Sequence, residues 1–425
     1  MSASLDKGIN ALKQQVDASV AAFFSSCVHC GICAEACLFY TETGDPERTP
    51  INKTEPLRRI WKSEYTLMGR LGKLLGLSKK VDDKLLADWE TLVYDSCTMC
   101  GRCSMVCPVG NDITLMIRKT REGMAAAGHA PEGLIGASKR SVTIGSPMGV
   151  KLPALLAQVR HVEEDSGLKV PLDVVGAEYM LLLSSMEIMN FPEFIEAIAK
   201  IFDKANASWT ISTEAFEATN SGIQIGVSDI AAELVQRIVD AAEKLKVKTV
   251  ISPECGHAYM AIRWDGPNLV GKKFGFKVRH VLEVLDDLRQ QGRLKTTGME
   301  KGKLTYHDPC QISRRGGVID EPRRLIDMVS DNFVEMPDHG KMNWCCGAGG
   351  GVSANERADE IRLKVFQRKK DQFDAIRPDA IVSACSNCRI HLEDGLEEYN
   401  MDIPLLSLTE MIAEHLGDDD RAGAT

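Results

Sequence analysis

The chain has no excess of positive charge, no long hydrophobic run and no leader-like start, and each absence removes a class of function. Its 51 basic residues are outnumbered by 60 acidic ones, a net charge of −9, so it offers no general attraction to nucleic acid or to an anionic bilayer. No apolar stretch approaches the roughly 20 residues that span a membrane, which argues against a transmembrane segment. The opening "MSASLDKGIN" lacks both the basic and the apolar region of a signal peptide, so a cytoplasmic location is expected. What is there is a chain of 425 residues with 44% hydrophobic content, enough for roughly two to four domains with real cores.

Fourteen cysteines in a reducing compartment point to metal ligands rather than disulfides. Cys27, Cys30, Cys33 and Cys37 in "CVHCGICAEAC" repeat the spacing of Cys97, Cys100, Cys103 and Cys107 in "CTMCGRCSMVCP". Both read C-x2-C-x2-C-x3-C, a run in which three close thiolates hold three irons of a cubane while the fourth reaches the other cluster. Cys27, Cys30, Cys33 and Cys107 are thus assigned to one [4Fe–4S] cluster, and Cys97, Cys100, Cys103 and Cys37 to a second. Gly31 and Gly101 let the backbone wrap closely. Zinc is the alternative, but zinc is usually held by C-x2-C pairs rather than by two matching four-cysteine runs.

Between the runs lies an insertion whose Pro- and Gly-containing start, "TETGDPERTP", reads as loop and whose remainder reads as helix. Ahead of Cys27, Leu5, Ile9, Leu12, Val16 and Val20 form a helical stripe, either packed on the cluster module or facing a partner subunit. Arg58, Arg59 and Lys62 face either an anionic partner or water. Residues 136–175 carry repeated turn residues around a short helical stretch and read as linker. Beyond them, "YMLLL", "KTVIS", "KLTYH" and "AIVSA" alternate with longer helical segments, an α/β arrangement.

An internal repeat runs through this half. "NSGIQIGVS" at 220–228 matches "CCGAGGGVS" at 345–353 with a constant offset of 125, and Ser185 falls the same distance before Cys310. "SPECGHAY" corresponds to "ACSNCRIH", which sets Cys255 opposite Cys385 or Cys388. The second copy holds Cys310, Cys345, Cys346, Cys385 and Cys388, each after an expected strand, where α/β sheets gather ligands. Neighbouring side chains diverge, so Cys345 and Cys346 serve one ordinary cubane poorly, and a fifth ligand suggests a cluster that is not a plain cube. Gly347, Gly349 and Gly350 let backbone approach the cluster and leave room for a substrate sulfur, while Trp344 shields one side. Ser353 and Glu356 read as a capping box that ends the glycine loop at a helix.

"YHDPC", "CCGAGGG" and "CSNC", together with the duplicated layout and the N-terminal double-cluster module, resemble the CCG-domain heterodisulfide reductase catalytic-subunit family. The likeness covers nearly the whole chain in its fused, HdrD-type form. It extends to the related subunit of the sulfite reductase membrane complex and to the heterodisulfide reductase-like complex of sulfur oxidisers. The resemblance implies two cubane [4Fe–4S] clusters and one non-cubane [4Fe–4S] cluster that binds and cleaves a disulfide at Cys310, Cys345, Cys346, Cys385 and Cys388. It also implies other redox subunits as partners, a flavoprotein or a membrane quinone-linked subunit, with peripheral membrane attachment through such a partner. The substrate is a thiol, a disulfide or a sulfur carrier. The first motif departs from the family: Ser185, Asn220 and Ser221 stand where ligands would be, which puts a paired two-cluster mechanism in doubt.

Cys255 is the one cysteine outside these sets, with His257 two residues on. Either Cys255 faces the cluster and forms a transient mixed disulfide or persulfide while His257 moves a proton, or both are inert and buried. His307 donates to cluster sulfur or substrate, or makes a structural hydrogen bond. Arg314 and Arg315 hold an anionic substrate or face water. The expected fold is mixed: a helical two-cluster ferredoxin module over 1–135, a linker over 136–175, a degenerate CCG repeat over 176–300 and an intact one over 301–425. The expected activity is electron transfer between the clusters and a sulfur substrate. The alternatives are an electron-transfer subunit of a flavin-linked glycolate, lactate or glycerol-phosphate dehydrogenase, and a non-catalytic electron conduit.

Overall fold

In the computed structural model, which describes residues 3–417, the stripe from Leu5 to Val20 runs along two helices, Ala3–Gln14 and Ala18–Ser26. Asp17 makes the break, its carboxylate capping the second helix by accepting from the Val20 N–H at 3.0 Å. Leu5, Leu12 and Val20 are buried, and Ile9 and Val16 pack against the same core. Gly8 and Gly123 let the first helix close onto helix Ile113–Ala127, because a Cβ on either would overlap Ala127 or Leu12. Packing, rather than an open docking face, uses this stripe.

The insertion between the cysteine runs starts with short turns, Pro46–Arg48 and Asn52–Thr54, and continues as helices Glu55–Tyr65, Leu67–Leu74 and Asp83–Glu90. A π-helical turn, Thr91–Asp95, leads into the second cysteine run. Helix Glu132–Ile144 and helix Leu152–Ser166 occupy most of 136–175. Pro153 does not interrupt the second of these because it sits in the first turn, where its missing N–H is not needed.

Two parallel sheets follow. The first contains β1 (Tyr179–Leu181), β2 (Trp209–Thr210), β3 (Thr249–Ser252) and β4 (Lys277–His280) in the order β2-β1-β3-β4. The second contains β5 (Leu304–Tyr306), β6 (Ala380–Ser383) and β7 (Leu405–Ser407) in the order β5-β6-β7. A single parallel bridge from Leu304 to Phe333 extends it on the far side of β5. Tyr179 stands opposite Thr249 in one register and Leu304 opposite Ala380 in the other. β1, β3, β5 and β6 are buried along their whole length, as parallel strands covered by helices on both faces must be, which is why they read as unbroken apolar runs.

The chain divides into two compact units, each drawn from separate stretches of sequence. One contains the residues up to Ser138 together with Ser221–Ala231 and Gly347–Arg368. The other contains Lys139–Asn220, Ala232–Cys346 and the residues from Lys369 onward, and holds both sheets.

Candidate iron–sulfur sites

In the first unit the two cysteine runs share a backbone conformation as well as a spacing. His29 and Met99 both adopt φ 54°, and Gly31 and Gly101 adopt φ 85° and 81° immediately before short helices Ile32–Glu35 and Arg102–Met105. A non-glycine residue in the left-handed region is uncommon, so its recurrence at matching positions marks a loop shaped around something. Cys27, Cys30, Cys33 and Cys107 line one cavity of about 140 Å³, and Cys37, Cys97, Cys100 and Cys103 line another. The fourth cysteine of each run thus turns to the cavity of the other.

Two buried cations serve the second cavity, and neither was legible in the sequence. Lys53 is almost fully buried, with Nζ 3.7 Å from Cys37 Sγ, a hydrogen bond to the Ser96 carbonyl and the Phe39 ring 5.4 Å away. A buried ammonium ion needs negative charge nearby, and thiolates holding an anionic cluster supply it. Arg121, fully buried, donates to the carbonyls of Val93 and Cys97, both at 2.8 Å, and to those of Gln224 and Gly350, both at 2.6 Å. The π-helical turn leaves the Val93 carbonyl available, and Tyr94 stacks under the guanidinium at 4.6 Å.

Gly347, Gly350 and Gly351 take φ of 98°, 64° and 90°, whereas Gly349 does not enter this region. Gly350 is glycine for a packing reason, since a Cβ there would come 2.7 Å from the backbone of Thr98. The capping box expected at Ser353 and Glu356 does not form. Short 3-10 turns, Val352–Ala354 and Glu356–Ala358, fill that stretch and the helix begins only at Asp359. Arg58 and Arg59 are paired with Glu55, at 2.6 and 2.9 Å, rather than presented to a partner.

Cys310, Cys345, Cys346, Cys385 and Cys388 lie in the second unit, all buried. Cys310 follows β5, and Cys345 and Cys346 follow a turn at Gly340–Met342. Cys385 follows β6 and caps helix Ser386–Glu398, whose first turn carries Cys388. Cys310 Sγ and Cys345 Sγ are 3.8 Å apart, and ligand atoms of His307, Cys346 and Cys388 lie within 4.8 Å of one another. The loop bearing Cys345 is pinned: Arg314 donates to the Lys341 carbonyl at 2.7 Å and to Asn343 Oδ1 at 2.6 Å, while Asp308 accepts from Gly340 N–H at 2.6 Å. Arg323 in turn grips the Asp308 carboxylate with both arms, at 2.5 and 2.8 Å. Arg314 is therefore committed to the scaffold. The Trp344 indole N–H is given to Asp338 at 3.0 Å.

His307 is completely buried and neither ring nitrogen has a hydrogen-bond partner. Burial holds its pKa well below the ordinary value, so it is neutral. Burial likewise lowers Lys369 to about 8, opposed by the negative charges of Asp308, Cys345, Cys346 and Cys388. Lys369 Nζ also donates to Gln372 Oε1 at 3.0 Å. Of the Cys385–Cys388 pair, Cys385 holds the lower pKa, because the Cys388 thiol and then the backbone N–H groups of Cys388 and Gly256 donate to its sulfur. An orphaned imidazole beside Cys346 and Cys388, and a buried ammonium near Cys345, Cys346 and Cys388, fit an anionic sulfide-containing group.

Cys255 follows β3 and caps helix Gly256–Tyr259 with φ −136° and ψ 103°, close to the −147° and 109° of Cys385 at the end of β6. Cys255 and Cys385 thus hold like positions between a strand and a helix, one that Cys388, inside its helix, does not share. Cys255 is buried, and burial raises its pKa, with the neighbouring charges of Cys385, Glu187 and Glu217 adding to the effect. His257 is half-buried in the first turn of the same helix. Three acids surround this corner. Glu187 accepts from Ser386 Oγ at 2.8 Å, Glu217 from the N–H and Oγ of Ser185, and Glu254 from Ser407 and Thr409 at 2.9 and 2.8 Å. Burial raises all three, Glu217 and Glu254 to about 8. Ser185 also meets Ser146 Oγ at 2.8 Å.

Residues 304–393 match the Cysteine-rich domain family CCG, and residues 24–111 match the 4Fe-4S dicluster domain family. The chain is 29% identical to a dihydromethanophenazine:CoB--CoM heterodisulfide reductase chain of Methanosarcina barkeri over 92% of this chain and 94% of that one. It is 26% identical to the Hdr-like menaquinol oxidoreductase iron-sulfur subunit of Archaeoglobus profundus, over 80% of this chain and 69% of that protein. The same identity to the EtfAB:quinone oxidoreductase of Syntrophomonas wolfei extends over 88% of this chain but 55% of that protein. Both matched domains go with [4Fe–4S] clusters, and the lined cavities and buried sulfurs suit them. The chain thus carries a CCG Cysteine-rich domain and a 4Fe-4S dicluster domain, and along most of its length it is similar to heterodisulfide reductase and Hdr-like iron–sulfur subunits.

Proposed function

We propose that this chain is an iron–sulfur subunit of a heterodisulfide reductase-like complex, moving electrons between two cubane [4Fe–4S] clusters and a sulfur substrate. One cubane is assigned to Cys27, Cys30, Cys33 and Cys107, and the other to Cys37, Cys97, Cys100 and Cys103. A non-cubane [4Fe–4S] cluster is assigned to Cys310, Cys345, Cys346, Cys385 and Cys388. The observation that carries this reading is the set of five buried cysteines, two of which, Cys346 and Cys388, lie within 4.8 Å of a His307 ring whose nitrogens lack partners. When bound, that cluster supplies single electrons to a substrate sulfur.

Reductive cleavage of a disulfide, RS–SR′ + 2 e⁻ + 2 H⁺ → RSH + R′SH, needs two protons as well as two electrons, and the reverse reaction releases them. Neutral His307 offers an N–H to sulfur, and Lys369, near 8, can give up a proton close to neutral pH. Cys255, held protonated, acts as a donor beside Cys385 rather than as a ready thiolate, with His257 as its proton exchange partner. Gly347, Gly349, Gly350 and Trp344 shape the loop next to Cys346.

We read 176–300 and 301–425 as two copies of one α/β unit, the first having lost its cluster, after the helical module over 1–135 and the stretch 136–175. The matching order of β2-β1-β3 and of the Phe333 bridge, β5 and β6 supports duplication, as does the shared position of Cys255 and Cys385. Redox partners, a flavoprotein or a quinone-linked membrane subunit, and a thiol, disulfide or sulfur-carrier substrate belong to the same proposal. A second reading, a pure electron conduit, is favoured by the likeness to the EtfAB:quinone oxidoreductase, whose name carries no sulfur substrate.

Electron paramagnetic resonance on anaerobically purified protein, oxidised and then mixed with thiols or a disulfide, separates the two. A signal of the oxidised protein that shifts with thiol and vanishes in Cys345→Ala is expected for sulfur chemistry. Only reduced cubane signals, indifferent to thiol, would leave the conduit.

A further inference from the structure

Helix Leu67–Leu74 and the turn after it present leucines to solvent. Leu67, Met68, Leu74, Leu75 and Leu77 are exposed by 76, 75, 83, 69 and 78%, and Leu71 by 46%. Positions 67, 68, 71, 74 and 75 share one face of a 3.6-residue repeat, so the exposure is a continuous stripe rather than scattered single residues. Among the described residues no helix is long and apolar enough to cross a membrane, so this stripe belongs to a surface element.

The stripe is held outward by the way the opposite face packs. Thr66 caps the helix by accepting from Gly69 N–H at 3.1 Å. A Cβ on Gly69 would overlap the Lys62 carbonyl, so this face lies tight against the end of helix Glu55–Tyr65. Ser78 Oγ donates to the Gly69 carbonyl at 3.2 Å, and Arg70 Nε to the Glu64 carbonyl at 2.7 Å. The leucines therefore cannot roll inward.

Charge says what covers them. Over residues 62–80 the chain has Lys62, Arg70, Lys73, Lys79 and Lys80, all exposed, against the single acid Glu64, within a protein whose net charge is −9. We propose that this leucine stripe and its basic rim are a docking surface for an anionic lipid bilayer, the helix lying in the headgroup plane with its leucines among the acyl chains. The groove beneath the stripe, lined by Lys62, Lys79 and Met68, shares Glu55 and Arg58 with a cleft containing His29. His29 also lines the cavity of Cys27, Cys30, Cys33 and Cys107, so a docked bilayer adjoins the side of that module where Cys30 is exposed.

The test is co-flotation of the holoprotein with vesicles of phosphatidylcholine alone or mixed equally with phosphatidylglycerol. The expected result is binding to the anionic vesicles that falls by about tenfold or more in pure phosphatidylcholine, at high salt, or with Lys79→Glu/Lys80→Glu. Leu74→Ser/Leu75→Ser is expected to abolish binding while leaving iron content and the visible spectrum unchanged, since both side chains are outside the core. Failure of the wild type to float with anionic vesicles, or equal flotation of the leucine variant, overturns the proposal. So does loss of a co-purifying protein subunit on the leucine substitutions without any vesicle binding by the wild type, which would assign the stripe to a protein partner.

Discussion

Arg121 donates a 2.8 Å hydrogen bond to the carbonyl of Cys97, the first cysteine of the second run. The same guanidinium satisfies three further carbonyls, two of them in the segments around Ser221 and Gly347 that fold with the cluster module. Arg121→Met would leave these buried oxygens without donors, at about 1–3 kcal/mol each. The expected outcome is a thermal midpoint lower by several degrees and loss of iron from the cluster that contains Cys97, read by melting and iron analysis. Unchanged melting with full iron would count against Arg121 as the keystone.

Lys53 sets a positive charge 3.7 Å from Cys37 Sγ in a buried setting. Lys53→Met is expected to make the neighbouring cluster harder to reduce, shifting its potential negative by about 60 mV or more, a tenfold change for one electron. Lys53→Arg should restore most of the shift. Potentiometric titration followed by paramagnetic resonance checks both, with the Cys27 cluster as the internal control.

Glu254 gives the protein a pH dependence of definite sign. Its carboxyl, raised by burial from 4.5 to about 8, keeps in the folded chain a proton that the unfolded chain releases. The stability it contributes is fully present below pH 4.5 and is lost as pH rises through 8. Glu254→Gln, neutral at every pH, is expected to flatten this fall by about 2–4 °C in the thermal midpoint between pH 5 and 8. Parallel curves for variant and wild type would show that the proton is not held there.

His307 sets a ring nitrogen within 4.8 Å of the sulfurs of Cys346 and Cys388 and is held neutral by burial. His307→Gln keeps an N–H and should retain iron, whereas His307→Phe is expected to keep iron but lose about a hundredfold in turnover. Cys255→Ala separates the remaining roles: unchanged turnover with full iron would remove this thiol from the mechanism.

Legibility in the sequence followed how locally each feature is specified. The matching four-cysteine runs, read as a two-cluster pattern, group Cys107 with Cys27, Cys30 and Cys33, and these four line one cavity, while the local loop shape is set by each run's own glycine and left-handed turn. β1, β3, β5 and β6 were evident as apolar runs, whereas β2 has two residues and β4, Lys277–His280, alternates exposed and buried positions at a sheet edge. Lys53, Arg121 and Lys369 looked like any surface cation, since only tertiary packing buries them. The Ser353 capping signal failed because two tight turns precede the helix. The leucines of 67–77 read as helix, but nothing in their order said that their apolar face would stay outside.

The membership of Gly347–Arg368 in the cluster module has a consequence for biosynthesis. The ribosome must add more than 200 residues after Ser138 before this last piece emerges, about 10–40 s at ordinary elongation rates. Throughout that interval the cysteines of the first two runs are attached to an unfinished fold. The module therefore closes around its first eight thiols only after that piece is made, and a chain truncated near residue 340 is expected to lose the paramagnetic signals of those eight thiols' clusters faster in air than the full chain does.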